Sequence, residues 1–187
     1  EPLFKRSLVI WEKALGLDHP KVAIGLNNLA QVYLGQGRYA DAEPLFSRSL
    51  DIEETAFGRD NPNIVSSLSN LALTYHYQKR YADAEPLFKR SLVIWEKVLG
   101  PDHPKVAIVL HNLGALFHDQ SRYQDAEAVY KRALLIDERV LGPRHPNIVP
   151  VLNNLGRLYN DLGLYSDSEA LFKRALRIVE RAYGPNH

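Results

Sequence analysis

The 187-residue chain has no cysteine and no methionine. Without cysteine there can be no disulfide and no thiolate metal site, and the redox compartment stays open. An excess of either charge is also missing: 23 Lys and Arg stand against 22 Asp and Glu. Nucleic acid or an anionic membrane as main partner calls for a basic excess, so both are excluded in that role. No apolar run approaches the ~18 residues that would suggest a membrane span. No signal peptide is visible, and the chain opens on Glu1. It reads as a piece excised from a longer protein, with the cytoplasm as its expected location. No Ser/His/Asp set, paired-carboxylate spacing or phosphate loop stands out, so the chain reads as a non-enzyme without cofactor.

What is present is repetition. Leu26–Phe46 reads LNNLAQVYLGQGRYADAEPLF, and related segments return at Leu68–Phe88, Leu110–Tyr130 and Leu152–Phe172, each offset by 42 residues. A fixed period of this length marks a stacked-repeat protein. Leu26, Leu29, Ala30 and Tyr33 fall at i, i+3, i+4 and i+7, one face of a helix. Ala42, Leu45, Phe46, Ser49 and Leu50 make a second stripe. Each repeat is therefore two amphipathic helices, A and B, and neither can bury its stripe without a neighbouring repeat.

The spacing predicts an unpartnered B helix over 1–16 and four A–B repeats over 17–58, 59–100, 101–142 and 143–184, all within one array, 1–187. The A helices start near Pro20, Pro62, Pro104 and Pro146, since proline suits a first helical turn. His19, Asn61, His103 and His145 precede them as candidate caps. Gly16, Gly58, Gly100, Gly142 and Gly184 end the B helices as left-handed glycines. Gly37, Lys79, Ser121 and Gly163 mark the A–B turns; a left-handed turn there costs the two non-glycine residues about 1 kcal/mol each. Pro2, Pro44, Pro86 and Pro150 are expected to loosen the first turns of their helices.

Leu26-x-x-Leu29-Ala30-x-x-Tyr33, then Ala42-x-x-x-Phe46, then Pro62, resembles the tetratricopeptide repeat (TPR) pattern. The 42-residue length and Leu99-Gly-Pro-Asp-His-Pro-Lys-Val-Ala107 resemble the kinesin light chain-like group. The resemblance implies an all-α fold, a right-handed superhelix of antiparallel helix pairs (an α-solenoid). It further implies a non-catalytic scaffold that binds an extended peptide segment of a partner protein in its concave groove. The alternative is a self-assembling structural module whose apolar ends stack into dimers or filaments, an end-to-end homo-oligomer.

On a helical wheel at 100° per residue, one asparagine recurs opposite the core stripe: Asn28, Asn70, Asn112 and Asn154. The resemblance implies that this face lines the groove. An amide can pair with any peptide backbone, or with a neighbouring helix. Leu73, His76, Tyr77, His111, His118 and Arg157 are the candidate selectors of ligand side chains. Some TPR domains clamp a carboxylate with a lysine one turn earlier; Ile24, Ser66, Ile108 and Pro150 stand there instead. His111 and His118 lie seven residues apart, about 10 Å of helix, too far for a shared metal; no metal site is expected. Trp11 and Trp95 share their position with Glu53, Asp137 and Val179, which predicts half-exposure. Lys89-Arg90, Lys131-Arg132 and Lys173-Arg174 read as a solvated outer ladder, each lysine paired with a glutamate four residues earlier.

Overall fold

The computed structural model describes residues 1–184, and among these nine α-helices and no strand are found. The chain divides into two compact units, Glu1–Ile94 and Trp95–His187. The boundary falls within one helix.

The first unit holds α1 (Pro2–Leu15), α2 (Pro20–Gly35), α3 (Tyr39–Phe57), a single 3-10 turn at Pro62–Ile64, α4 (Val65–Tyr77) and most of α5 (Tyr81–Leu99). Leu26, Phe46, Leu68 and Phe88 of the predicted stripes are fully buried, and Ile64 joins them in the core. The second unit takes the end of α5, then α6 (Pro104–Asp119), α7 (Tyr123–Leu141), a 3-10 turn at Pro146–Ile148, α8 (Val149–Asp161) and α9 (Tyr165–Tyr183). Leu110, Leu113, Tyr130, Ile136, Ile148 and Leu152 fill its interior.

Helix starts follow the predicted caps. The His19, His103 and His145 Nδ1 atoms accept hydrogen bonds from the second backbone N–H beyond, at 3.1, 3.1 and 3.2 Å, and Asn61 Oδ1 does the same at 2.9 Å. Each of α3, α5, α7 and α9 runs 19 residues. The proline expectation fails. The 3-10 turn before Pro150 recurs at Pro62–Ile64, where Ser66 takes the place of that proline, and Pro2 simply opens α1. Pro44 and Pro86 sit inside unbroken helices. Each forfeits one backbone hydrogen bond without breaking its helix.

The A–B turns are left-handed at every copy, with φ of 72° at Gly37, 61° at Lys79, 58° at Ser121 and 75° at Gly163. The glycines that end the B helices differ from expectation. Their φ is near +90°, but ψ is 161° at Gly16, 157° at Gly58 and 154° at Gly142. That is the extended positive-φ region, open essentially to glycine alone, rather than the left-handed helical one.

Two surface readings need correction. The arginines of the basic ladder, and Arg48 at the same place in the first repeat, are not merely solvated. Each reaches back to the preceding B helix: Arg48 to Glu12 at 2.6 Å, Arg90 to Glu54, Arg132 to Glu96 at 2.7 Å and Arg174 to Glu138. Each also donates to a loop carbonyl, at Leu17, Arg59, Pro101 and Pro143. A one-helix reading misses them because the partner lies 36 residues away. The lysines do pair within their helices, Lys89 with Glu85 and Lys131 with Glu127.

The second correction concerns Glu53. It is buried, 9% exposed, and its Oε2 has no hydrogen-bond partner among the described residues. Burial raises its carboxyl pKa above the ordinary value, against a smaller lowering by its hydrogen bond with Ser67. The tryptophans at the same position are half-buried as expected. Trp11 packs over Gly25, and the Lys105 ammonium sits 4.2 Å above the Trp95 ring.

Candidate functional site

In the first unit the A-helix face is built by α2 and α4. Asn28 and Asn70 are both half-buried on it. Asn70 Nδ2 donates to Asn27 Oδ1 across the two helices at 3.2 Å. Asn27 is held in turn by donating to Ser67 Oγ at 2.7 Å and accepting from Gln31 Nε2 at 3.0 Å. Asn70 thus ties neighbouring helices with its nitrogen and keeps its oxygen available. Asn28 makes no side-chain hydrogen bond among the described residues.

One turn further along α4, Leu73 is half-buried, and at the helix end the aromatic groups gather. Tyr77 is 52% exposed and stacks on Tyr39 with centroids 5.2 Å apart. His76 is buried, 5.7 Å from the Tyr77 ring and edge-on to Tyr81 at 5.8 Å. Tyr77 therefore carries both Tyr39 and His76 against its ring and still leaves about half of its surface exposed.

In the second unit α6 and α8 build the same face. Asn154 Nδ2 donates to His111 Nε2 at 2.7 Å, which leaves the imidazole neutral with its proton on Nδ1. Burial depresses the His111 pKa and favours that neutral form. His118 Nε2 lies 2.8 Å from Asp161 Oδ2. Arg157 is exposed, and Asn112 is half-buried with no side-chain hydrogen bond among the described residues. His118 and Arg157 share a recess of about 410 Å³ with Asn160, Asp161 and Phe172. The recess offers a guanidinium, a carboxylate, an amide and an aromatic ring within one small volume.

The structure thus separates the predicted residues. Asn70, Asn154, His111 and His118 are engaged between helices; His118 and Arg157 line a recess; His76 is buried and Tyr77 stacks on Tyr39; Asn28, Asn112 and Leu73 are half-buried. Asn160, Phe172 and Tyr39 were missed, and Asp161, on the same wheel face as Asn154, was not named as a selector. Stacking brings together Asn27–Asn70, His111–Asn154 and His118–Asp161, all 43 residues apart. That is one repeat plus one residue, the offset at which stacked A helices meet. Among the described residues no three His, Asp or Glu converge as metal ligands would, and no helix is long and apolar enough to cross a membrane.

The tetratricopeptide repeat family model matches residues 1–55, 22–92, 63–139 and 115–181. A comparison with curated proteins gives no match. Among solved structures, BtubC (BKLC) from P. vanneervenii is similar at 24% identity and a TM-score of 0.85, over 98% of this chain and 73% of that one. Two structures of a kinesin light chain-like protein with nearly identical TPR-like repeats, from Podospora anserina, are similar at 22% and 21% identity. Their TM-scores are 0.83 and 0.80, each over 97% of this chain and over 85% and 86% of theirs. At these identities the likeness establishes the fold, an all-α solenoid of antiparallel helix pairs. The family model spans nearly every residue, and the chain belongs to the tetratricopeptide repeat family.

Proposed function

We propose that the chain is a non-catalytic interaction scaffold that takes an extended peptide segment of a partner protein along its A-helix face. The observation that carries this reading is the recess of His118, Arg157, Asn160, Asp161 and Phe172. It presents charge of both signs beside a ring, on the face that tetratricopeptide arrays turn toward their ligands. Asn28 and Asn112 have free amides for the peptide backbone. The Oδ1 atoms of Asn70 and Asn154 accept from its N–H groups while their nitrogens stay bonded between helices. Leu73, Tyr77, His118 and Arg157 select side chains; His76 and His111 support them from below.

The test is a phage-displayed peptide library panned on the purified chain, followed by affinity measurement with the enriched peptides. Asn112→Ala and Arg157→Ala should each weaken binding about tenfold, or 1.4 kcal/mol, with the thermal midpoint unchanged. If both leave affinity intact while Trp11→Ala or Trp95→Ala abolishes it, the ligand sits elsewhere and the reading fails.

Self-association is the second reading, favoured by the apolar surface of α9. Tyr165 and Leu176 are 68% and 56% exposed, whereas their counterparts Tyr123 and Leu134 are partly covered. Sedimentation that shows mass rising with concentration supports it; a monomer throughout rejects it.

A further inference from the structure

The fourth repeat departs from the third at three places that lie together. In the third, Asp102 in the loop before α6 pairs with Arg139 of α7. Forty-two residues on, those positions hold Arg144 and Arg181, so an ion pair has become two like charges. Leu135 is likewise replaced by Arg177. In the structure Arg144, Arg177 and Arg181 line one recess of about 840 Å³ with Arg174, Ile178 and Glu180. Arg174 is already neutralised by Glu138 and held by the Pro143 carbonyl. The other three arginines have no ion-pair partner among the described residues. Arg177 and Arg181 are four residues apart on one helix, a like-charge spacing that disfavours the helix unless an anion intervenes.

The same position is open in the preceding repeat. The third-repeat counterparts remain exposed although α8 packs against α7: Leu135 is 55% exposed, and the Asp102 and Arg139 side chains 60% and 56%. This surface belongs to the B-helix side and the preceding loop, away from the A-helix face.

The chemistry selects among anions. Guanidinium forks bind carboxylates or phosphates in bidentate fashion. Four residues of helix separate Arg177 from Arg181 by about 6 Å. Alternate side chains of an extended strand, which share one face, are about 6.6 Å apart. Ile178, Pro143 and the arginine stems give the recess an apolar floor for the backbone between. A nucleic acid would need a broad basic face, and the chain as a whole carries a net charge of only +1. We infer that the recess at Arg144, Arg177 and Arg181 is a second binding site, for an acidic peptide segment with carboxylates at alternate positions.

A fluorescein-labelled heptapeptide of alternating glycine and glutamate, titrated with the protein in low salt, reads the site by fluorescence anisotropy. The glutamate peptide should bind saturably, its lysine counterpart should not, and added salt should weaken the complex. Arg144→Asp restores the residue of the preceding repeat, so the fold should tolerate it, and affinity should fall at least tenfold. Arg177→Leu, also a residue of the preceding repeat, should act in the same direction. Asn112→Ala should leave this binding unchanged, which separates the site from the A-helix face. The inference is overturned if the glutamate peptide does not bind or if both arginine variants bind as the parent does. It is equally overturned if inorganic phosphate competes as well as a free copy of the peptide, since that describes a point-anion site.

Discussion

Gly114 and Gly156 take the places of Ala30 and Ala72 in their repeats, yet the two glycines should respond in opposite ways to alanine. A Cβ on Gly114 would fall 2.4 Å from Tyr130 Cε1, 2.6 Å from Cδ1 and 2.8 Å from Cζ. Tyr130 is 2% exposed and has nowhere to go. A Cβ on Gly156 would fall 2.8 Å from Phe172 Cε1 and Cζ, but that ring is 39% exposed and can swing outward. In both helices alanine gains about 1 kcal/mol of propensity over glycine. Overpacking a closed core costs about 1–3 kcal/mol, so Gly114→Ala should end up destabilised by up to about 2 kcal/mol. At Gly156 the overpacking is relieved, and the variant should gain up to about 1 kcal/mol. The assay is urea unfolding followed by circular dichroism and by tyrosine fluorescence, because repeat arrays need not unfold in one step. Adding Tyr130→Phe to Gly114→Ala recreates the alanine–phenylalanine pairing of the second repeat, where Phe88 is fully buried; part of the lost stability should return. If Gly114→Ala stabilises as much as Gly156→Ala, the close approach of Tyr130 is not a constraint and the reasoning is wrong.

Glu53→Gln should stabilise the chain at pH 7 by about 1–2 kcal/mol, the scale of an unsatisfied buried polar group. Because burial raises the folded-state pKa, the folded chain binds the proton more tightly. The parent's deficit should shrink as pH falls toward the ordinary glutamate value, and a pH series of thermal midpoints for both proteins shows it. Gly142→Ala forces alanine into a region closed to side chains, at about 1–3 kcal/mol. Gly37→Ala should cost only about 1 kcal/mol, since Lys79 and Ser121 hold the same left-handed turn; equal losses in the two variants would contradict the backbone assignment.

Features read from a residue's own helix were legible in advance. Apolar spacing gave the stripes that become Leu26, Phe46 and Leu68 in the core, proline marked the helix starts, and Lys79 and Ser121 revealed their left-handed turns by aligning with glycines. The unforeseen features depend on a partner far along the chain or on the second backbone angle. Arg90 looks solvated until Glu54 is placed beside it. Glu53 looks amphipathic because its repeat equivalents include tryptophan, and only the packing of α3 shows it enclosed. The terminal glycines advertise positive φ, but nothing local distinguishes ψ near 160° from a left-handed helix. At the candidate site the ladder asparagines were visible, whereas the offset of 43 that engages Asn70 and Asn154 emerges only once A helices are stacked.

The inter-helix amide bonds bear on how such a chain can change its length. Asn70 donates to an amide oxygen and Asn154 to an imidazole nitrogen: the donor is the same, the acceptor differs. An NH₂ group accommodates either, so this joint between successive A helices makes no demand for one matched neighbour. The B helices meet through an arginine and a glutamate that return in the same register. Copies coupled by that pair can be duplicated, lost or reordered by recombination in steps of 42 residues, and each product inherits an arginine–glutamate joint that already fits. The near-identity of residues 1–24 and 85–108, which differ only at Ala14/Val98 and Leu17/Pro101, is what recent shuffling of that kind leaves behind.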